Sequence, residues 1–392
     1  MRLILRSEIN GSFFEHSQQC RDIIDLVEIQ LGGFVIAYTR SATLAIIVPL
    51  LLFLARPSRA QETGGWHDPS PHSIQFVTVD KNVALEVLDW GGSGRPIVLS
   101  AALGHTAHVF DDFAPKLAGM YHVYGITRRG FGASSAPASG YSADQLGDDV
   151  VAVIDALKLN GAVLAGHSIA GEELSSVGTR HPDKVSGLIY LEAAYPYAFY
   201  DRSRGEFLID SLALQKKLIQ LQPDKHAADL KPLIRELLET DLPQFERDLQ
   251  VTLTILQSVP PPMNQQPDAA DRASFTAYRA WQSRALGMAV PESELRQNFE
   301  ATQTGGVGNP RRKSTAADDI LAGQQKYVDI RVPVLAIFAN RGPQSDFVEK
   351  TVRSAHVVRI PHASHYIFLS NESDVLREMR DFLATVSSAT PK

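Results

Sequence analysis

Apolar and polar positions along the chain fall into three textures. Ala42 to Ala55 ("ATLAIIVPLLLFLA") is uncharged and apolar throughout. From about Ser73 to Leu191, short apolar or β-rich runs alternate with longer polar segments. From Phe207 to Thr302, apolar residues recur at helical spacing instead.

The middle texture is the most informative. Ser73 to Val79 and Val83 to Trp90 alternate and predict two strands, an antiparallel hairpin at a sheet edge. Ile97 to Ser100, Tyr121 to Thr127, Ala162 to Ala165 and Gly187 to Leu191 predict short buried strands. Asp144 to Leu159 places Val150, Val151, Ile154 and Leu157 on one face of an amphipathic helix. After a long gap, Val334 to Ala339 and His356 to Ile360 predict two more strands, and Glu372 to Val386 a C-terminal helix. Strands alternating with helical segments imply an α/β fold, a mostly parallel central sheet with helices on both faces.

The gap itself predicts helices over Phe207 to Leu221, Leu230 to Leu238, Phe245 to Leu256, Ala269 to Leu286 and Glu292 to Thr302. Pro260-Pro261-Pro262 interrupts them. This block reads as an inserted helical cap. The expected organisation is a leader over 1–60, a linker over 61–72, a core from 73–194 and 328–392, and a cap over 195–327. No internal repeat is present.

The leader has the three regions of a secretory signal: Arg40, the apolar run 42–55, and a small-x-small site at Ser58-Arg59-Ala60. A 14-residue helix spans about 21 Å, short of a hydrocarbon core of about 30 Å. Cleavage near Ala60 and export to the periplasm or medium are therefore expected, with no stable membrane span after processing. The rival is an anchor formed by the uncleaved segment. A signal ending at Ala60 is long, which points to a translation start near Val35. The only cysteine, Cys20, lies in the leader, so the processed domain has no thiol chemistry.

The net charge is −6, and −7 without the first 60 residues (32 basic, 39 acidic). That disfavours nucleic acid as a partner. The pairs and triplets Arg128-Arg129 and Arg311-Arg312-Lys313 read as solvated surface. No dinucleotide or phosphate-loop spacing is present, so no cofactor is expected.

The chemistry gathers at one junction. "LNGAVLAGHSIAGEELSS" runs from a buried strand into a polar helix, with Ser168 flanked by Gly166, Ala170 and Gly171. A side chain held at a sharp strand-to-helix turn needs neighbours of little bulk, and the helix N-terminus sets amides beside it. This pattern resembles the nucleophile elbow of the α/β-hydrolase superfamily. The resemblance covers roughly residues 73 to 386, and "ITRRGFGASSAP" resembles that family's structural Arg-Gly-x-Gly-x-Ser loop.

Several roles follow from the resemblance alone. Ser168 would be the nucleophile and His365, in "IPHASHYIFL", its base, with His362 as rival. His167 would be a packed structural residue. The acid would be Glu192, with Asp346 as the alternative. Glu192 ends the strand after the elbow helix, a placement similar to that in the haloalkane dehalogenase branch. Asp346 follows the later strand, where the usual position is occupied by Gly342. Backbone N–H groups of Leu103 and Ile169 would form the oxyanion hole, and His105 would line the entrance or sit in a surface loop. Glu172 and Glu173 read as first-turn acids favoured by the helix dipole. Asp111-Asp112 reads as a helix N-cap without accompanying ligands, so no metal is expected. The activity implied is acyl-enzyme cleavage of an ester-like bond in a small, partly apolar molecule. Perhydrolysis, C–C hydrolysis and lyase chemistry need the same residues. A non-catalytic small-molecule binding protein on this fold is the other alternative.

Overall fold

The first hairpin forms as its alternation predicts. Strands β1 (Ser73–Asp80) and β2 (Val83–Asp89) pair antiparallel, Ser73 opposite Asp89. Asn82 takes the left-handed conformation at their turn (φ 62°), which Asn tolerates better than most residues. In this computed structural model the described residues are 66–194, 205, 207–221, 227–258, 266–311, 316–321, 327, 329–340 and 342–388. Cys20, the apolar run 42–55, Ala60 and Pro260 to Pro262 lie outside them. No helix among the described residues is long and apolar enough to cross a membrane.

Six further strands complete the main sheet: β3 (Pro96–Ser100), β4 (His122–Ile126), β5 (Ala162–His167), β6 (Val185–Leu191), β9 (Val334–Phe338) and β10 (Ala355–Arg359). The order is β1-β2-β4-β3-β5-β6-β9-β10, antiparallel through β1, β2 and β4 and parallel from β4 onward. Side chains alternate between the faces. Ile97, Leu99, Val163, Ala165, Ile189 and Leu191 pack on one face with the C-terminal helix. Val98, Leu164, Leu188 and Tyr190 pack on the other with helices α1 (Ala143–Ala156) and α2 (Gly171–Arg180). This two-sided core explains why the parallel strands read as continuous apolar runs.

Register decides where the chemistry lies. Ser100 is opposite Gly166, His167 opposite Leu191, Leu191 opposite Ile337, and Phe338 opposite Arg359. The carboxyl ends of β3, β5, β6, β9 and β10 therefore finish along one rim, and the segments beginning at 101, 168, 192, 339 and 360 leave from it.

Between β6 and β9 the chain carries α3 (Phe207–Ile219), α4 (Ala227–Glu236), α5 (Leu242–Ser258), α6 (Phe275–Leu286), α7 (Glu292–Asn298) and α8 (Ala316–Leu321). Two expectations need correction. Ala269 to Leu286 is broken: a 3₁₀ turn (Asp271–Ala273) precedes Ser274, whose hydroxyl caps α6 at Ala277 N–H (3.0 Å). The helix expected to Thr302 stops at Asn298. Phe299–Ala301 is instead a strand, β7, paired with β8 (Val307–Pro310) across a turn in which Thr302 N–H donates to Gly306 C=O (2.9 Å). Gly305, at φ 83°, supplies the turn that ends the helical pattern. Phe275, Tyr278, Leu295 and Val307 join the same apolar cluster as Ile337 and Met379, so this end of the inserted block rests on the main core. After β9, α9 (Pro343–Thr351) fills a stretch left unassigned from sequence. The chain closes with α10 (Ile367–Ser370) and α11 (Glu372–Ser388).

Candidate active site

β5 ends at His167, a 3₁₀ turn covers Ser168–Ala170, and α2 starts at Gly171. Ser168 has φ 55°, a left-handed backbone that a non-glycine residue adopts only where its surroundings enforce it. The small neighbours have a direct reason. A Cβ at Gly166 would stand 2.8 Å from Leu174 Cδ1 and 2.9 Å from Ala170 Cβ, so a larger residue would push the helix off the strand. Ser168 is left 5% exposed.

Glu192 follows β6 directly and shares the unusual backbone, at φ 52°. Its Oε1 accepts from Ala339 N–H at the end of β9, and its Oε2 lies 3.9 Å from His365 Nδ1. That nitrogen is buried and makes no hydrogen bond among the described residues. His365 sits on the loop after β10, and its carbonyl accepts from His167 Nε2 (3.0 Å). The two imidazole rings are 4.8 Å apart. The loop is thereby tied to the residue preceding Ser168. His167 is fully enclosed, and burial together with the nearby His365 holds it well below the usual histidine pKa, in the neutral form. His362 is exposed at φ 62°. Asp346 lies in the first turn of α9 and pairs with Arg359 Nη2 (3.1 Å).

The loop after β3 forms a turn closed by His105 N–H to Ala102 C=O (3.2 Å), with Gly104 at φ 79°. The closing bond uses the His105 N–H, not that of Leu103. His105 is mostly enclosed: Nδ1 lies 2.8 Å from Glu294 Oε1 and Nε2 2.8 Å from Tyr366 Oη. Glu294, on α7, also accepts from Thr106 Oγ1 (2.5 Å) and Asn298 Nδ2 (2.6 Å). Glu294 was not singled out by sequence; it is one of two acids on a polar helix.

The surface assignment of Arg128-Arg129 fails, while Glu172 and Glu173 do lie in the first turn of α2. Arg128 and Arg129 are both buried, at 6% and 2% exposure. Arg128 pairs with Glu173 and donates from Nη2 to Ala101 C=O (2.9 Å); Arg129 pairs with Asp149. Glu172 and Glu173 are buried too. Burial is the first cause that raises both above the ordinary glutamate pKa, and Glu172 has no hydrogen-bond partner among the described residues. The missed signal was the run of small residues after them. Ser175, Ser176 and Gly178 let α2 pack on all sides, leaving no solvated face for the two acids. Arg311 is exposed as expected, whereas Arg312 and Lys313 lie outside the described residues.

Asp111 is no N-cap. The 3₁₀ turn Ala107–Phe110 is capped by Thr106, and Asp111 follows the turn. Nor is it alone: it is 2.8 Å from His72 Nδ1 and 3.1 Å from His108 Nδ1, and it accepts from Trp90 Nε1 (3.0 Å), Ser70 Oγ (2.7 Å) and Ser293 Oγ (2.5 Å). Burial would lower the His108 pKa, but Asp111 and Glu86 outweigh it and raise the group to about 10. Burial would likewise raise Asp111, but His108 and His72 hold its carboxyl far below the usual range. Residues 66–72, read as linker, are fastened here, and Trp66 stacks under Arg296 at 4.5 Å. Asp112 pairs with Arg279 (2.6 Å).

Comparison with known proteins agrees with this fold. Over 125 residues the chain is 36% identical to the AB hydrolase superfamily protein YisY of Bacillus subtilis (strain 168), covering 31% of this chain and 46% of that one. Over 115 residues it is 34% identical to a putative carbamate hydrolase of Caulobacter segnis, covering 29% and 43%. The matched part is thus under half the length of these relatives. The crystal structure of E-2-(acetamidomethylene)succinate hydrolase superposes with a TM-score of 0.51 at 17% identity, over 80% of this chain and 99% of that one, which speaks to the fold alone. The family model described as "Alpha/beta hydrolase family" matches residues 97–378, from the strand before the first rim loop into the last helix. With its sheet order, its strained serine turn and most of its length accounted for by that model, the chain belongs to the alpha/beta hydrolase family.

Proposed function

We propose that the protein is a serine hydrolase that cleaves an ester-like acyl bond through an acyl-enzyme intermediate. One observation carries the reading. A serine in a strained turn, a histidine loop tied to that turn, and a carboxylate facing the histidine leave the sheet along the same rim.

The chemistry follows from the groups. Ser168 Oγ attacks the acyl carbon while His365 takes the hydroxyl proton. The carbonyl oxygen becomes an oxyanion that accepts from the Leu103 and Ile169 N–H groups. His365 then passes its proton to the leaving oxygen as the acyl–oxygen bond breaks. Water, deprotonated by the same imidazole, releases the acid and restores Ser168. Glu192 holds the imidazole in the needed tautomer and offsets its charge. The tie from Ala339 N–H to Oε1 supports this role, because it leaves Oε2 for the histidine. A separation of 3.9 Å is long for a hydrogen bond, and such contacts commonly tighten when substrate binds. Arg128 adds a support, joining the Ala101 carbonyl of the oxyanion loop to Glu173 of the elbow helix.

A serine-directed fluorophosphonate, followed by a series of acyl esters of increasing chain length, tests the reading. Labelling at Ser168 with turnover of at least one ester is expected. Labelling without turnover of any ester would replace it with perhydrolysis, C–C cleavage or lyase chemistry. No labelling, with a small molecule bound instead, would make the chain a binding protein. Export, read from the leader, is checked by cell fractionation and N-terminal sequencing of the mature chain.

A further inference from the structure

A second constellation lies outside the elbow. Asp68 and His72 come from the segment ahead of β1; His108 and Asp111 come from the 3₁₀ turn that follows the oxyanion loop. Each offers one ligand atom, and these atoms all lie within 4.8 Å of one another. We propose that these four side chains bind one zinc ion, which clips the segment before β1 to the turn behind the oxyanion loop.

The donor set selects the metal. Two imidazole nitrogens and two carboxylate oxygens suit zinc, whereas magnesium and calcium prefer oxygen alone. Bonds of about 2.0–2.1 Å in a tetrahedron put the ligand atoms about 3.4 Å apart. From His108 Nδ1, Asp111 Oδ2 at 3.1 Å and Asp68 Oδ2 at 3.6 Å bracket that value, and His72 stands beside both aspartates, with Nδ1 2.8 Å from Asp111 Oδ1 and Nε2 3.8 Å from Asp68 Oδ2. The two imidazoles meet edge to face at 5.0 Å, so neither ring blocks the other's approach to a shared point.

Charge and the outer contacts argue the same way. Asp68 and Asp111 face both histidines and Glu86 faces His108, and no lysine or arginine among the described residues forms an ion pair with any of the three acids. A divalent cation balances what the imidazoles alone balance poorly. His108 turns Nδ1 to the two aspartates, while its buried Nε2 has no hydrogen-bond partner among the described residues and stands 3.7 Å from Glu86 Oε1. With Nδ1 on the metal, Nε2 carries the proton and donates it to Glu86, the carboxylate–histidine–metal arrangement that fixes a ligand's tautomer. Trp90, Ser70 and Ser293 hold Asp111 in the same way. Four protein ligands leave no open position, so the ion is structural.

The test strips the full chain with a chelator and titrates it with zinc, magnesium serving as control. One zinc per chain and a raised thermal midpoint are expected, with no response to magnesium. Asp68→Asn, partly exposed and tolerant of change, and His72→Gln should each weaken zinc binding at least tenfold. Glu86→Gln should weaken it about 10- to 100-fold. Failure of the folded wild type to bind zinc, or equal binding by Asp68→Asn and His72→Gln, would overturn the proposal. Zinc bound at the four residues without any change in midpoint would overturn the clip.

Discussion

Two histidine–carboxylate groups stand on this scaffold, and they are built differently. The His365–Glu192 pair is sparse. One carboxylate oxygen is tied to Ala339, the other faces the ring at 3.9 Å, and the facing nitrogen has no hydrogen bond among the described residues. The group around Asp111 is crowded, with two histidines, a tryptophan and two serines on one carboxylate. Proximity of histidine to acid therefore does not by itself mark a catalytic pair. A group that moves protons needs spare valence and a strained, positioned neighbour. A group that holds a fold, with or without an ion, spends its valence on fixed contacts.

The largest effect expected separates the two outright. Ser168→Ala should lower kcat for ester hydrolysis by about 10⁶-fold with unchanged circular dichroism. Activity near wild type would end the serine mechanism. Glu192→Gln should cost about 10⁴-fold in turnover, because the wrong tautomer is then favoured. Asp346→Asn should leave turnover nearly unchanged; the opposite ranking moves the acid to the later loop. On the crowded side, Asp111→Asn should act on stability instead. It leaves buried histidines without their charged partner, a loss of about 3–5 kcal/mol read by chemical denaturation. A change below 1 kcal/mol, roughly the worth of a surface pair, would mean the cluster holds little.

The smallest effect concerns His167, which burial and the nearby His365 keep neutral. Its folded pKa lies below the unfolded value of about 6.5. The unfolded chain therefore binds the extra proton first. This contribution is fully present above pH 6.5 or so and is lost as the pH falls toward the folded pKa, by up to about 1.4 kcal/mol per pH unit. His167→Gln should flatten that part of the profile in urea unfolding. An identical slope in both proteins would show that His167 protonates as readily folded as unfolded.

Some of this was legible in the chain and some was not. The eight sheet strands were found from periodicity because alternation and apolar runs are local consequences of a two-sided sheet. Ser168 was visible because a tight strand-to-helix turn restricts its immediate neighbours, and the chain shows that restriction as Gly166, Ala170 and Gly171. The helix expected through Thr302 was missed at its end, where a strand pair won over helical spacing. Glu192 was preferred to Asp346 on the resemblance, because periodicity alone does not rank them. Their difference lies in the β6–β9 pairing, which brings Ala339 and His365 to Glu192 while Asp346 meets Arg359.

The buried charges mark the same boundary. Arg128 and Asp111 carry side chains that usually face water, and the residues next to them in sequence do not place them in the core. Their partners lie far along the chain: Glu173 for Arg128, and His72 and Ser293 for Asp111. The sequence by itself determined the layered α/β architecture and the serine turn, since both arise from short-range steric and hydrophobic rules. Only the tertiary structure decided which charges pair out of water, because that pairing depends on strand register and on segments that meet only once the sheet has closed.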